Sequence, residues 1–487
     1  MIKQILNKYK SLPIQVKGSF WFLICGFLSR GISFITVPIF TRLLSTEEYG
    51  RFNVFNSWFG IVSVVVTLNI FYGVYVQGLV KFEDKKNEYS SSLQGLCLTL
   101  VLIWTVIYLL FRNYINSLFS LTTLQMICML SMCWTGAVFS FWSAEQRNDY
   151  KYIRLVIITV IVTVAKPVLG IILVVNADDK VTARIFGLAI VELIAYIGLF
   201  FSQMFKGKKF FSFKIWKYAL GFAIPLVPHY LSGVVLNSSD RIMIEKMIGD
   251  SEAGIYSLAY SVSQIMTIFN TALLQTAEPW LYKKIKNKQM KEISDISLPM
   301  MIFVAGINII LIAFAPEIIH IFAPPAYHDS IYVIPPVAMS VFFTFLYSFF
   351  ATFEFYYEKK TYITVSTSAG AVVNIILNYI FIDIFGYYAA GYTTLICYTI
   401  YAACHYFFMR KICKEQLDGA KPYDFKTVLL VSALFMSMGF VFLFTYDNAP
   451  LRYGLIVVLL IIAILKRNVI VKFAKSIFEL KKKGQGN

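Results

Sequence analysis

The chain has 487 residues, 58% apolar, 17% aromatic and only 15% charged, with a mean hydropathy of +0.68 and a formal net charge of +17. No soluble domain needs that much apolar surface, whereas an integral membrane protein does. The positive charge does not mark a nucleic-acid binder, because it is distributed by side: of 44 lysines and arginines, eight fall in loops assigned outside, two lie within apolar spans, and the remaining 34 lie inside. That asymmetry is the positive-inside rule, with both termini cytoplasmic and the basic face drawn to anionic headgroups.

In chain order, residues 1–17 set Ile2, Ile5, Leu6, Tyr9 and Leu12 among lysines, the pattern of an interfacial amphipathic helix. No small-residue cleavage site follows, so no removable signal peptide is expected. Apolar spans then follow at 18–41 (with Arg30), 52–80, 89–111, 113–144, 155–176 (with Lys166) and 185–203 (with Glu192). After a basic stretch at 206–217 come 218–239, 253–277, 296–316, 330–353, 361–382 and 386–409. Two more lie at 427–446 and 453–465, the latter so short that it spans only if Arg452 snorkels. The expected fold is an all-α integral membrane protein of about fourteen helices: six-helix lobes over 18–205 and 218–410, a cytoplasmic linker over 206–217, and two additional helices with a basic tail over 411–487. No loop is long enough for a folded extramembrane domain.

One short pattern occurs twice, 204 positions apart: Arg42-Leu43-Leu44-Ser45-Thr46-Glu47-Glu48-Tyr49-Gly50-Arg51-Phe52 and Lys246-Met247-Ile248-Gly249-Asp250-Ser251-Glu252-Ala253-Gly254-Ile255-Tyr256. A repeat this long points to two homologous lobes rather than a solenoid. Six spans separate the copies, so both lobes share one orientation, related by an axis along the membrane normal.

Helix two carries Asn53, Asn56, Gly60, Ser63 and Thr67 on one face. The 204-residue offset aligns these with Ser257, Tyr260, Gln264, Thr267 and Thr271, again polar throughout. Such stripes either line a cavity or pack helices through hydrogen bonds, and their matched placement favours a shared cavity. Arg30 and Lys166 lie near the middle of their spans, where a lone cation costs about 2.5–3.5 kcal/mol on insertion scales. Lys166 has a bland alternative, a pair with Glu192 of the next helix. Arg30 has no comparable partner within helices one to six. Uncompensated cations point to an anion, and a diphosphate fits best. At the same offset Val234 and Gly370 stand where Arg30 and Lys166 would recur, so only the first lobe keeps the cations.

Helix seven contains Pro225 and Pro228, which predict a kink, and ends in Asp240-Arg241, read as a local ion pair. Its His229 is read as making a satisfied polar contact rather than relaying protons. Glu317, His320, His328 and Asp329 cluster around an external loop and are read as solvated. The seven cysteines fall in spans or a cytoplasmic loop, so no disulfide framework is expected, and no metal-ligand spacing, phosphate loop or nucleophile elbow appears. Neither a cofactor nor a catalytic residue is expected.

Pro38-x-x-Thr41-Arg42-Leu43-Leu44-Ser45-x-x-Glu48-Tyr49-Gly50 resembles the opening of bacterial polysaccharide flippases. Asp240-Arg241-Ile242-Met243-Ile244, followed by Gly254-Ile255-Tyr256-Ser257-Leu258-Ala259-Tyr260, is similar to their second-half signature. These are the O-antigen (Wzx-type) and capsule-repeat translocases of the multidrug/oligosaccharidyl-lipid/polysaccharide exporter superfamily, and the likeness covers nearly the whole chain. The resemblance implies a MATE-like two-lobed fold in the bacterial inner membrane. It implies translocation of an undecaprenyl-diphosphate-linked oligosaccharide from the cytoplasmic to the external leaflet. It further implies alternating access and a cationic cavity, in agreement with Arg30 and Lys166, with membrane lipids and the polysaccharide polymerase and chain-length machinery as partners. Coupling to H+ or Na+ comes only with the resemblance, with Glu192, Asp240, Glu278 and Asp383 as candidates; membrane potential acting on an anionic substrate is the alternative. The rival readings are a drug/cation antiporter of the same superfamily, which would use carboxylates and few deep cations, and a membrane polysaccharide polymerase or ligase, which would carry a large external loop.

Overall fold

The computed structural model describes residues 13–468. Among them the chain is helical almost throughout, with no strand. The amphipathic reading of 1–17 lies mostly outside the described residues, as does the end of the basic tail. Every one of the fourteen expected spans is helical, and ten of the described helices are long and apolar enough to cross a membrane. The second, eighth and twelfth spans are not among those ten because their polar residues lower the hydropathy, and the last is a 17-residue apolar helix.

Packing divides the chain into two compact units, Met1–Ile242 and Met243–Asn487. The division falls between 242 and 243, in the helix that continues past the expected end of the seventh span, rather than in the basic linker that separates the repeats in sequence. The first unit contains α1 (Ile14–Leu43), α2 (Thr46–Thr67), α3 (Gly73–Lys81), α4 (Lys86–Leu110), α5 (Arg112–Phe119), α6 (Thr123–Asn148), α7 (Tyr152–Val175), α8 (Lys180–Gly207), α9 (Phe213–Ala223) and most of α10 (Val227–Met247). Within it α8 packs on α4, α6 and α7, and α1 packs on α7.

The repeated motif is a helix stop followed by a helix start. Leu44 is extended, and Ser45 caps α2: its Oγ accepts the Glu48 N–H at 3.1 Å while its own N–H donates to Glu48 Oε2 at 2.8 Å. In the second copy Gly249 takes the cap position without a side-chain acceptor, and Asp250 and Glu252 supply first-turn negative charge that complements the helix dipole.

Several expected spans are interrupted. The second breaks after Thr67, whose Oγ1 donates to the Ser63 carbonyl at 2.6 Å and accepts the Asn69 N–H at 3.3 Å. Leu68 and Asn69 then turn left-handed, at φ 51° and 47°. In the fourth span, left-handed Ser120 splits off the short α5. The predicted kink in the seventh span is a 3-10 turn at Ile224–Leu226 around Pro225, which lacks the N–H that an α-helical bond would use.

The second unit contains α11 (Asp250–Ser263), α12 (Ile265–Lys286), α13 (Met290–Ala313), α14 (Ala315–Phe322), α15 (Ile334–Tyr356), α16 (Lys360–Phe385), α17 (Tyr388–Gln416), α18 (Phe425–Leu443) and α19 (Ala449–Leu465). Its hub is α15, buried over 83% of its most apolar stretch and packed on α12, α13, α17 and α18. A helix apolar on all sides suits such a central position, since no face of it needs water. Arg452 does not snorkel, as the short last span led us to expect: it is buried and ion-paired to Glu317 of α14. Tyr453 Oη donates to the same carboxylate at 2.6 Å.

Candidate functional site

A groove of about 530 Å³ opens within the first unit, walled by α1, α2, α6, α7 and α8. Its polar lining comes from Ser29, Ser33 and Thr36 of α1, Asn56 of α2, Thr159, Thr163 and Lys166 of α7, and Arg184, Glu192 and Tyr196 of α8. The seam between α1 and α7 is closed by Ser29 Oγ and Thr163 Oγ1 at 3.1 Å. On α7, which runs unbroken through Pro167, that proline follows Lys166 directly.

Lys166 Nζ lies 2.6 Å from Glu192 Oε1, so the alternative read from adjacent helices is the arrangement observed. The other carboxylate oxygen, Glu192 Oε2, accepts Thr135 Oγ1 at 2.9 Å. Glu192 is buried while Lys166 keeps 29% of its side chain exposed to the groove. The cation is therefore half committed: its stem is packed and its ammonium remains within reach of a second anion.

Arg184 is the groove residue that sequence reasoning missed, since position alone places it in an external loop. Its guanidinium lies between the rings of Phe40 and Phe52, with centroids 3.6 and 3.5 Å from Cζ. A planar guanidinium stacked between two rings is held in orientation at little cost in hydration. A signal for it existed: Arg184, Leu188, Glu192 and Tyr196 recur every four residues and all four line the groove. With Lys166 and Arg184 against Glu192, the groove carries one net positive charge.

The remaining predicted site residues are placed as follows. Arg30 follows Ser29 on α1, is exposed, and does not line this groove. Of the α2 stripe only Asn56 reaches the groove; Asn53 Nδ2 donates to the Tyr49 carbonyl at 2.8 Å, Ser63 is half-buried, and Thr67 bonds its own helix. In the second unit Ser257 Oγ donates to the Ala253 carbonyl at 2.6 Å and Thr271 Oγ1 to that of Thr267 at 2.7 Å. Thr267 Oγ1 also donates to Gln264 Oε1 at 2.6 Å, where the eighth span breaks between α11 and α12. Tyr260 is buried beside Tyr256. Much of this matched polarity is thus used within the helices themselves, as hydroxyls in apolar helices commonly are. Among the coupling candidates, Asp240 is buried in α10, Glu278 is exposed on α12, and Asp383 is exposed near the end of α16.

His229 Nδ1 is buried with no hydrogen-bond partner, contrary to the satisfied contact expected of it. His320 Nδ1 and His328 Nε2 are 3.1 Å apart at an exposed surface. Burial and the neighbouring His320 both hold His328 below the ordinary histidine range. No group of three or more metal-ligating side chains occurs among the described residues.

Residues 15–285 match the family described as polysaccharide biosynthesis protein, more than half of the chain. The chain belongs to that family. It is 22% identical over 304 residues to the Lsg locus putative protein 1 of Haemophilus influenzae, covering 56% of this chain and 67% of that one. It is 20% identical over 368 residues to an uncharacterized membrane protein of the same organism, covering 71% and 84%. Among solved structures it superposes on the lipid II flippase MurJ in an inward closed conformation, with a TM-score of 0.68, 16% identity, and coverage of 92% of this chain and 99% of that one. An inward-facing MATE-family multidrug resistance transporter of the MOP superfamily gives a TM-score of 0.60 at 13% identity, covering 80% and 96%. These likenesses establish the MOP fold, and the family member is a multi-pass membrane protein.

Proposed function

We propose that this protein is a flippase that carries an undecaprenyl-diphosphate-linked oligosaccharide repeat unit, of O-antigen, capsule or a related polysaccharide, from the cytoplasmic to the external leaflet of the bacterial inner membrane. Both termini are cytoplasmic, as the lysine and arginine asymmetry assigns them. The observation that carries the reading is the groove of a polysaccharide-biosynthesis family member whose polar walls include both Lys166 and Arg184. A diphosphate offers several acceptor oxygens, which suit a point-charged ammonium and a stacked guanidinium together. Arg30, one residue beyond the groove wall, adds to the attraction during entry. The sugars lie along the polar wall of the groove at Ser33, Asn56 and Thr159, and the prenyl chain stays in lipid. The lobes rock to expose the site alternately.

Glu192 gives the groove a resident counter-anion. Entry of a diphosphate displaces it from Lys166, so its protonation and substrate binding favour one another, as linkage requires. The drug-antiporter reading has the same fold behind it, but two cations in the groove disfavour a cationic drug. The test is complementation of a strain lacking its own repeat-unit flippase. The wild-type gene restores surface polysaccharide, while Lys166→Ala, Arg184→Ala and Arg30→Ala each lower it at equal protein level. Full complementation by all three variants would overturn the anion site.

A further inference from the structure

Both units contain the same clasp, with one chemical difference. In the first, Glu145 lies three residues before the end of α6, and its Oε2 accepts a hydrogen bond from Gln203 Nε2 of α8 at 2.6 Å. Gln203 Oε1 in turn accepts from Gln94 Nε2 of α4 at 2.6 Å. In the second, Glu354 lies two residues before the end of α15, and its Oε1 is 2.7 Å from His405 Nδ1 of α17. Helices α6 and α8 are the fourth and sixth spans, and α15 and α17 are the tenth and twelfth, so the clasps occupy matching places in the repeat. All four side chains are buried, Glu354 and His405 at 0% and 1% exposure.

The partner decides what each clasp can do. An amide does not titrate in the ordinary range, whereas an imidazole does. The Glu–His pair is also incompletely satisfied: Glu354 Oε2 and His405 Nε2 are buried without a hydrogen-bond partner. Aromatic rings enclose it, with Tyr347 stacked on His405 at 5.3 Å and Tyr401 edge-on at 4.4 Å.

We propose that Glu354 and His405 form a proton-binding clasp that keeps the seam between α15 and α17 closed while it holds one proton and releases the seam when that proton leaves. With one shared proton the pair is neutral whichever atom carries it. Removing the proton would leave a lone carboxylate, and adding another a lone imidazolium, each buried without solvation. Once the seam opens to water, a carboxyl and an imidazole titrate near about 4.3 and about 6.5. Above about pH 6.5 the open pair is therefore proton-free, and closing must take a proton up. The closed state then holds one proton more than the open one, so opening becomes up to about tenfold easier per pH unit above about 6.5 and is insensitive to pH just below it.

The titratable groups around the clasp are Tyr347 on α15 and Tyr401 and Cys404 on α17, with Thr367 of α16 hydrogen-bonded to Tyr401. Tyr423 packs on Phe350 and Phe353 of α15 from the loop after α17. Of the charged groups on the packed elements, Lys284 of α12 pairs with Glu292 of α13, Lys359 with Glu415 of α17, Arg410 of α17 donates to the Ala420 carbonyl, Asp424 caps α18, and Glu278 of α12 is exposed. Asp295 of α13 is exposed.

Hydrogen exchange of the full-length protein in detergent micelles, followed on α15 and α17 peptides from pH 5.5 to 8.5, tests this without any substrate. It is therefore independent of the transport reading. Glu354→Gln/His405→Gln leaves no titrating group in the clasp, and comparing the two proteins at each pH cancels the intrinsic pH dependence of exchange. The ratio of wild-type to variant opening should rise up to about tenfold per pH unit above about 6.5, while α6 and α8 peptides show no change. Glu354→Gln alone keeps the imidazole and removes the carboxyl, so it too should lose the rise above about pH 6.5, a result that stands even if the double variant does not fold. A flat ratio of wild type to either variant on α15 and α17 would overturn the proposal.

Discussion

Removing the Lys166 ammonium should destabilise the protein more through what it leaves behind than through what it takes away. In Lys166→Met the stem still packs, but Glu192 keeps a buried carboxylate with Thr135 as its remaining donor. Breaking a fully buried pair from one side costs about 3–5 kcal/mol, and an exposed pair about 0–1 kcal/mol. Glu192 is 9% exposed and Lys166 29%, so the pair lies between these limits, nearer the buried one for the acid. We expect a loss of about 2 kcal/mol, roughly 30-fold in the folded ratio. Adding Glu192→Leu removes the stranded charge, and Thr135 keeps its bond to the Met132 carbonyl at 3.4 Å. The double variant should therefore recover to within about 1 kcal/mol of wild type, as apolar replacement of buried pairs commonly does. The assay is SDS-induced unfolding in mixed micelles, followed by tryptophan fluorescence. A double variant no more stable than Lys166→Met would refute the reasoning, as would a single variant as stable as wild type.

Three further outcomes follow from local geometry. A Cβ at Gly95 would lie 2.2 Å from the Phe210 carbonyl oxygen, so Gly95→Ala must push α4 from the linker backbone and cost about 1–3 kcal/mol in the same unfolding assay. Ser45→Ala removes one acceptor of the capping box and should cost about 1 kcal/mol, with Ser45→Thr close to neutral. Burial works against ionisation of Asp149, but Lys86 and Lys151 outweigh it and hold its carboxyl below the ordinary aspartate range. A depressed value means the contribution is present above the unfolded value of about 3.9 and lost as pH falls through the folded one. The stability gap between wild type and Asp149→Asn should therefore be constant from pH 7 to 5 and close only below about pH 4, remaining under about 1 kcal/mol because the pair is partly exposed.

The apolar spans were legible because a bilayer demands long uncharged runs, and charges such as Arg112 and Lys180 mark their ends, but the breaks that divide several of them were not. The turn of the repeat was legible because Ser45 and Glu48 stand at capping-box spacing. The break after Thr67 was not: Asn69 tolerates left-handed backbone, but it stands alone in an apolar run beside Leu68, a residue type that seldom adopts it. Lys166 and Glu192 could be paired on paper because consecutive helices adjoin. Arg184 could not, since its place between Phe40 and Phe52 depends on how α1, α2 and α8 meet. Assigning it to a loop by position hid the four-residue spacing that carries it into the groove. Arg452 failed similarly, because its partner Glu317 is 135 residues away.

The most direct test of the account is reconstitution. Purified protein in liposomes carrying undecaprenyl-diphosphate-linked oligosaccharide in both leaflets is assayed with a glycosidase added outside, which reports arrival of sugar from the inner leaflet. The account predicts that wild type exposes the inner pool to the enzyme, that Lys166→Ala and Arg184→Ala slow this at least about tenfold, the loss of roughly one charge-assisted contact, and that cationic dye does not leave the vesicles. Dye efflux with the inner sugar pool still protected would contradict it.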